Sequence, residues 1–131
     1  AFVSGGGDRP IVVSYASSPP AEIVYADPPV TEAPTGVITD TCFRQVEFAG
    51  ILSGTQHRTA SEALIDFMLT PAFQEDLPLS MFVYPAVMST ALPRVFVDHV
   101  DTPVAPHHLD PATIGANRNM WTERWTDLVL R

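Results

Sequence analysis

The chain has 131 residues, 46% of them hydrophobic, and a formal net charge of −8. That length suits one domain with a modest core, and no run reaches the roughly 18 apolar residues of a membrane span. All seven basic residues are scattered arginines, which excludes the basic patch that nucleic-acid binding needs. The single cysteine, Cys42, forms no internal disulfide and belongs to no C-x-x-C or zinc pattern.

The opening "AFVSGGGDRP" lacks the basic start and continuous apolar core of a signal peptide. It reads as a glycine loop leading into a strand, in the manner of a segment from the middle of a longer chain. "IVVSY" (11–15) predicts a buried strand by its β-branched content. Ser18 suits an N-cap and Pro19 the first helical position, which predicts a short helix over about 19–26. "DPPVTEAPTG" (27–36) carries three prolines and reads as an irregular surface loop. Residues 37–52 predict one or two strands, with Phe43, Gln45 and Glu47 alternating against Arg44, Val46 and Phe48.

The clearest helix is predicted over 59–69. Thr59 and Glu62 have the spacing of a capping box, and Ala63, Leu64, Phe67 and Met68 share a face. A second short helix starts at Thr70-Pro71 and ends near Pro78. "SMFVYPAV" (80–87) reads as a strand closed by proline, and the proline-interrupted run 94–108 as a surface loop. Asp110-Pro111 opens a last helix over about 111–130, with Ile114, Arg118, Trp121, Trp125 and Leu128 on one stripe. The pattern β-α-β-α-α-β-α predicts an α/β protein with helices covering a sheet.

Two stretches are candidates for chemistry. "SYASSPP" would lie at the carboxyl end of a strand and the start of a helix, where open α/β sheets hold ligands. Tyr15 offers a ring there, and Ser17 and Ser18 offer hydroxyls. Pro19 and Pro20 remove two of the backbone N–H groups that would otherwise serve an anion. "MFVYP" places Phe82 and Tyr84 on one face of the predicted strand, as core or as a stacking surface. His107, His108 and Asp110 fit no strong metal motif. A trio of Ser17 or Ser18, His57 and Asp66 lacks the nucleophile-elbow context of a hydrolase.

"VVSYASSPPAE", "CFRQVEFAGIL", "ALIDFMLTPAFQEDLPLSMFVYP" and "NRNMWTERWTDLVLR" together resemble, in this order, the C-terminal part of bacterial thiamine-binding solute receptors of ABC importers. The resemblance runs over about residues 11–131. It implies an α/β fold of the type II periplasmic-binding class, present here in part. The chain would be a single C-terminal segment of a two-lobed protein. Residues 1–10 would leave the second lobe, and 11–131 would supply the return strand and C-terminal helices of the first. The missing amino-terminal part would carry the export signal and place the protein outside the cytoplasm.

The implied function is non-enzymatic and needs no cofactor. Thiamine or a thiamine phosphate would be held between the lobes by aromatic stacking and passed to a membrane permease. By position, Tyr15 and Phe82 match aromatic site positions of such receptors, and Tyr84 shares the face of Phe82. Some relatives carry a second tyrosine soon after "SP". Here Ala21 stands at that place and Tyr25 follows one helical turn later. Ser17 and Ser18 suit a hydroxyl or phosphate tail. A receptor for iron, a polyamine or an organophosphate is the alternative within the superfamily, although no adjacent tyrosine pair for iron is present. A small hydrolase or transferase is the alternative outside it. Apolar faces left without the other lobe are expected to drive self-association.

Overall fold

The computed structural model describes residues 6–100 and 102–130. The glycine-loop reading of 1–10 therefore falls in part outside the described residues. Among the described residues five helices follow in order: α1 (Ser18–Val24), α2 (Arg58–Met68), α3 (Pro71–Ser80), α4 (Arg94–His99) and α5 (Pro111–Val129), with a 3₁₀ turn at Thr39–Thr41 between α1 and α2. Among the described residues no strand ladder forms. An isolated parallel bridge joins Phe43 to His107, closed by His107 N–H to the Cys42 carbonyl and Arg44 N–H to the His107 carbonyl.

The three predicted strands are thus corrected to extended or looping segments. Ile11, Val13 and Tyr15 are 71%, 100% and 71% exposed. β-branched residues favour a strand only where a neighbour supplies hydrogen bonds and a packing surface, and the described chain supplies neither at 11–15. Phe48 and Leu52 are likewise exposed. The predicted strand at 80–87 fails for a different reason. Met81 caps α3, and Phe82 adopts φ of 53°, a left-handed conformation that breaks the alternation of a strand.

The helices follow the sequence more closely. α1 begins one residue earlier than expected, with Ser17 at the N-cap, and ends before Tyr25. α2 begins at Arg58 with His57 at its N-cap, so the capping box of Thr59 and Glu62 is not formed. Glu62 instead accepts from Arg58 at 2.8 Å across one exposed turn, a pair worth about 0.3–0.5 kcal/mol. α3 runs past Pro78 to Ser80. The run 94–108, expected as loop throughout, contains α4, whose first turn carries an Arg94–Asp98 pair at 3.1 Å.

α5 starts at Pro111 as expected. Asp110 caps it through a carboxylate oxygen that accepts from the Thr113 N–H at 3.0 Å. Asp110→Ala removes this acceptor and a negative charge at the positive end of the helix. It is expected to cost about 1 kcal/mol, read as a lower urea midpoint in far-ultraviolet circular dichroism. Much of the predicted stripe on α5 stays accessible: Trp121, Trp125 and Leu128 are 38%, 54% and 73% exposed.

Packing concentrates in two places, α1 against α4 and α2 against α3. At the α2–α3 corner the Phe67 and Phe73 rings meet edge-on at 5.6 Å. The buried amide of Gln74 donates to the Met68 carbonyl at 2.7 Å and accepts from the Val87 N–H at 3.1 Å. Both ends of that side chain are satisfied, so its burial carries no unpaired polar atom, and it ties the segment after α3 back to the corner. The other packed place, around α1 and α4, holds most of the residues singled out in the sequence.

Candidate functional site

The start of α1 is shaped by its two prolines. An N-cap serine ordinarily accepts from the N–H of the second or third helical residue. Here Ser17 is the N-cap, and those positions are Pro19 and Pro20, which have no N–H. The Ser17 hydroxyl is free of capping duty and donates to the Phe82 carbonyl, 65 residues away. Ser17 is only 5% exposed, and Pro19 and Pro20 are fully buried beside it. Ser18 makes a hydroxyl–hydroxyl bond to Ser14 at 2.7 Å on the outer side.

The first four residues of α1 leave no free backbone donor for an anion, since Pro19 and Pro20 have no N–H. The Ser18 N–H donates to the Tyr15 carbonyl at 3.0 Å and the Ala21 N–H to the Ser17 carbonyl at 3.4 Å. From α1 itself an oxyanion would meet side-chain hydroxyls, with Ser18 the accessible one.

The rings gather around Phe96, which is 1% exposed on α4. Phe82 stacks on it with centroids 6.2 Å apart and planes 23° from parallel. Tyr84 meets it edge-on at 5.9 Å. Tyr25, at the end of α1, also meets Phe82, at 5.4 Å and 49°. Each pair has the separation and tilt of favourable aromatic contact. Tyr25 is 72% exposed, so the array passes from a buried ring to a solvent-facing one.

The Tyr84 hydroxyl is shut off from solvent without a hydrogen-bond partner. Burial raises its pKa above the ordinary value of 10.0. The Thr102 side chain offsets part of that rise, although the two groups do not meet in full hydrogen-bond geometry, and Cys42 adds to it. Tyr84 therefore stays neutral across the physiological range and presents its ring to Phe96.

Of the six residues singled out in the sequence, Ser17, Tyr25, Phe82 and Tyr84 come together in this cluster. Ser18 lies on its rim. Tyr15 is 71% exposed and enters none of the described ring pairs. Phe96, the buried centre, was missed because 94–108 read as loop. The four-residue spacing of Arg94 and Asp98 was the available helix signal.

Two shallow depressions open elsewhere, one at Arg44 and 104–108, the other between 49–55 and α2. Neither includes a residue of the aromatic cluster. His107 presents a ring nitrogen to the Asp40 carbonyl at 3.0 Å. Among the described residues no group of three or more His, Cys, Asp and Glu is placed to hold a metal ion. His57 caps α2 through its backbone, and the Ser17 hydroxyl is committed to Phe82. Among the described residues no helix is long and apolar enough to cross a membrane.

Comparison with known proteins supplies the chemical context. The chain is 27% identical over 125 residues to the thiamine-binding periplasmic protein of Escherichia coli strain K12 and 28% identical over 125 residues to that of Salmonella typhimurium. It is 27% identical over 123 residues to that of Brucella suis. These alignments take in 95%, 95% and 91% of this chain. No family model matches, and no solved structure matches. The chain spans 37% of the length of the first two relatives and 35% of the third, and over that span it is similar to proteins named for binding thiamine in the periplasm.

Proposed function

We propose that this chain is part of the solute-binding component of an ABC importer for thiamine or its phosphates, acting outside the cytoplasm and without enzymatic chemistry. The observation that carries the reading is the similarity to thiamine-binding periplasmic proteins over 95% of the chain. In this reading the chain forms part of a two-lobed α/β receptor. Its exposed extended segments at 11–15 and 42–52 supply strands to a sheet completed by polypeptide beyond these residues.

The rings of Tyr25 and Phe82, backed by the buried Phe96, support the ligand chemistry. A flat cationic thiazolium is attracted to aromatic faces, and an aminopyrimidine stacks on them. The negative charge of the chain, −8 overall, favours approach of a cation. Tyr15, exposed before α1, would offer a further ring to the ligand when the second lobe closes over it. Closure would be a population shift toward the state that the permease recognises.

The test is thiamine titration, followed by intrinsic fluorescence, of a receptor-length protein carrying this chain. Tyr15→Ala is expected to weaken thiamine binding by about 1–3 kcal/mol, the range for losing one stacked ring with its cation–π attraction. Unchanged affinity would remove Tyr15 from the site. No thiamine binding by the unaltered protein would overturn the receptor reading and return the search to the other small solutes of the superfamily.

A further inference from the structure

Ser17, Phe82 and Tyr25 form a unit that the ligand reading alone does not explain. Phe82 has φ of 53°, in the left-handed region where a side chain with a Cβ is disfavoured and where glycine is the usual occupant. A phenylalanine persists there only if its surroundings hold it. The Ser17 hydroxyl donates to the carbonyl of that same residue, from a position 5% exposed and walled by the buried Pro19 and Pro20. The prolines contribute twice. They deprive Ser17 of any N–H to cap, and they fix the chain direction at the start of α1.

We infer that Ser17 is a positioning residue, whose hydroxyl latches the Phe82 backbone in its left-handed conformation and so sets the angle of the Phe82 ring against Tyr25. The inference rests on the thiamine-receptor reading for the ligand that this ring would meet, but the latch itself is a property of the unliganded chain. It gives Ser17 no direct contact with ligand. It also separates the two adjacent serines: Ser18 faces outward to Ser14, while Ser17 acts through Phe82.

The three tyrosines of the chain provide a test with an internal reference. With ring-labelled tyrosine, nuclear magnetic resonance gives one signal set for each. Tyr25 is shifted by the Phe82 ring at 5.4 Å, Tyr84 by the Phe96 ring at 5.9 Å, and exposed Tyr15 marks the solvent position. Phe82→Ala fixes where Tyr25 lies without its neighbour. In Ser17→Ala the Tyr25 signal is expected to move most of the way to that position while Tyr84 stays.

An unmoved Tyr25 signal overturns the latch. Simultaneous loss of the Tyr25 and Tyr84 shifts also overturns it, because Ser17 would then support the whole cluster. In a receptor-length protein, Ser17→Ala is expected to weaken thiamine binding about 3- to 10-fold. In a Phe82→Ala background it should add nothing further. An equal loss in both backgrounds would mean that Ser17 touches thiamine directly, and the positioning role would fall. Absence of thiamine binding by the unaltered protein strikes down the receptor reading; it is distinguished from failure of the latch because the Tyr25 shift is read with no ligand present.

Discussion

Phe96→Ala is expected to destabilise the packed region by about 3–5 kcal/mol, the range for truncating a buried phenylalanine. Phe96 is the large hydrophobic side chain with the least exposure among the described residues, 1%. It is also the ring on which Phe82 and Tyr84 both rest, and it lies on α4, the helix that packs on α1. Removing it leaves a cavity where α1, α4 and the 82–84 segment meet and releases two aromatic contacts besides. Total stabilities of small domains are about 5–15 kcal/mol, so the loss should be visible as a large fall in the urea midpoint or as failure to fold.

Phe67→Ala provides the contrast. That ring is 52% exposed and makes one described edge contact, with Phe73, so about 1 kcal/mol is expected. Equal effects of the two substitutions would mean that α1 and α4 do not form the stabilising centre.

The starts of α3 and α5 were legible because they are written locally. Pro71 and Pro111 follow cap residues at Thr70 and Asp110, and proline at the first helical position costs no hydrogen bond. α4 was not legible because Pro93, Pro103 and Pro106 bracket a short run and give it the punctuation of a loop. The left-handed Phe82 had no signal at all, since only glycine or asparagine announces such a position.

The segments at 11–15 and 42–52 form no ladder within the described residues because β propensity describes a fit to neighbours, and neighbours are not a property of five consecutive residues. For the site, the sequence already held the decisive fact in Pro19 and Pro20. Their missing N–H groups were read as a loss to an anion site. They also leave the Ser17 hydroxyl unemployed by its own helix, and the fold then directs it to a residue that no local pattern connects with it. Ring-bearing residues could be picked out one by one, but their assembly around Phe96 depended on the unread α4.

In sedimentation at micromolar concentration, the chain on its own is expected to run as a dimer or larger species. Its accessible surface is 10747 Å², whereas a compact monomer of its mass exposes about 6800 Å². The excess, roughly 3900 Å² per chain, is more than the roughly 1000–2500 Å² that each partner buries in most obligate interfaces. It is apolar in large part: Val13, Phe48, Leu52 and Leu128 are 100%, 91%, 82% and 73% exposed. Among the described residues the extended segments at 11–15 and 45–52 lie outside any ladder, and such segments favour pairing with another chain.

Charge opposes this association, since each copy carries −8. Apolar burial and strand pairing tolerate salt, while like-charge repulsion is screened by it. Self-association should therefore strengthen as ionic strength rises, the reverse of an interface built on ion pairs. A compact monomer at every salt concentration would show that this chain closes its own surface. The proposal that its apolar faces await further polypeptide, whether a second copy or the remainder of a two-lobed receptor, would then be wrong.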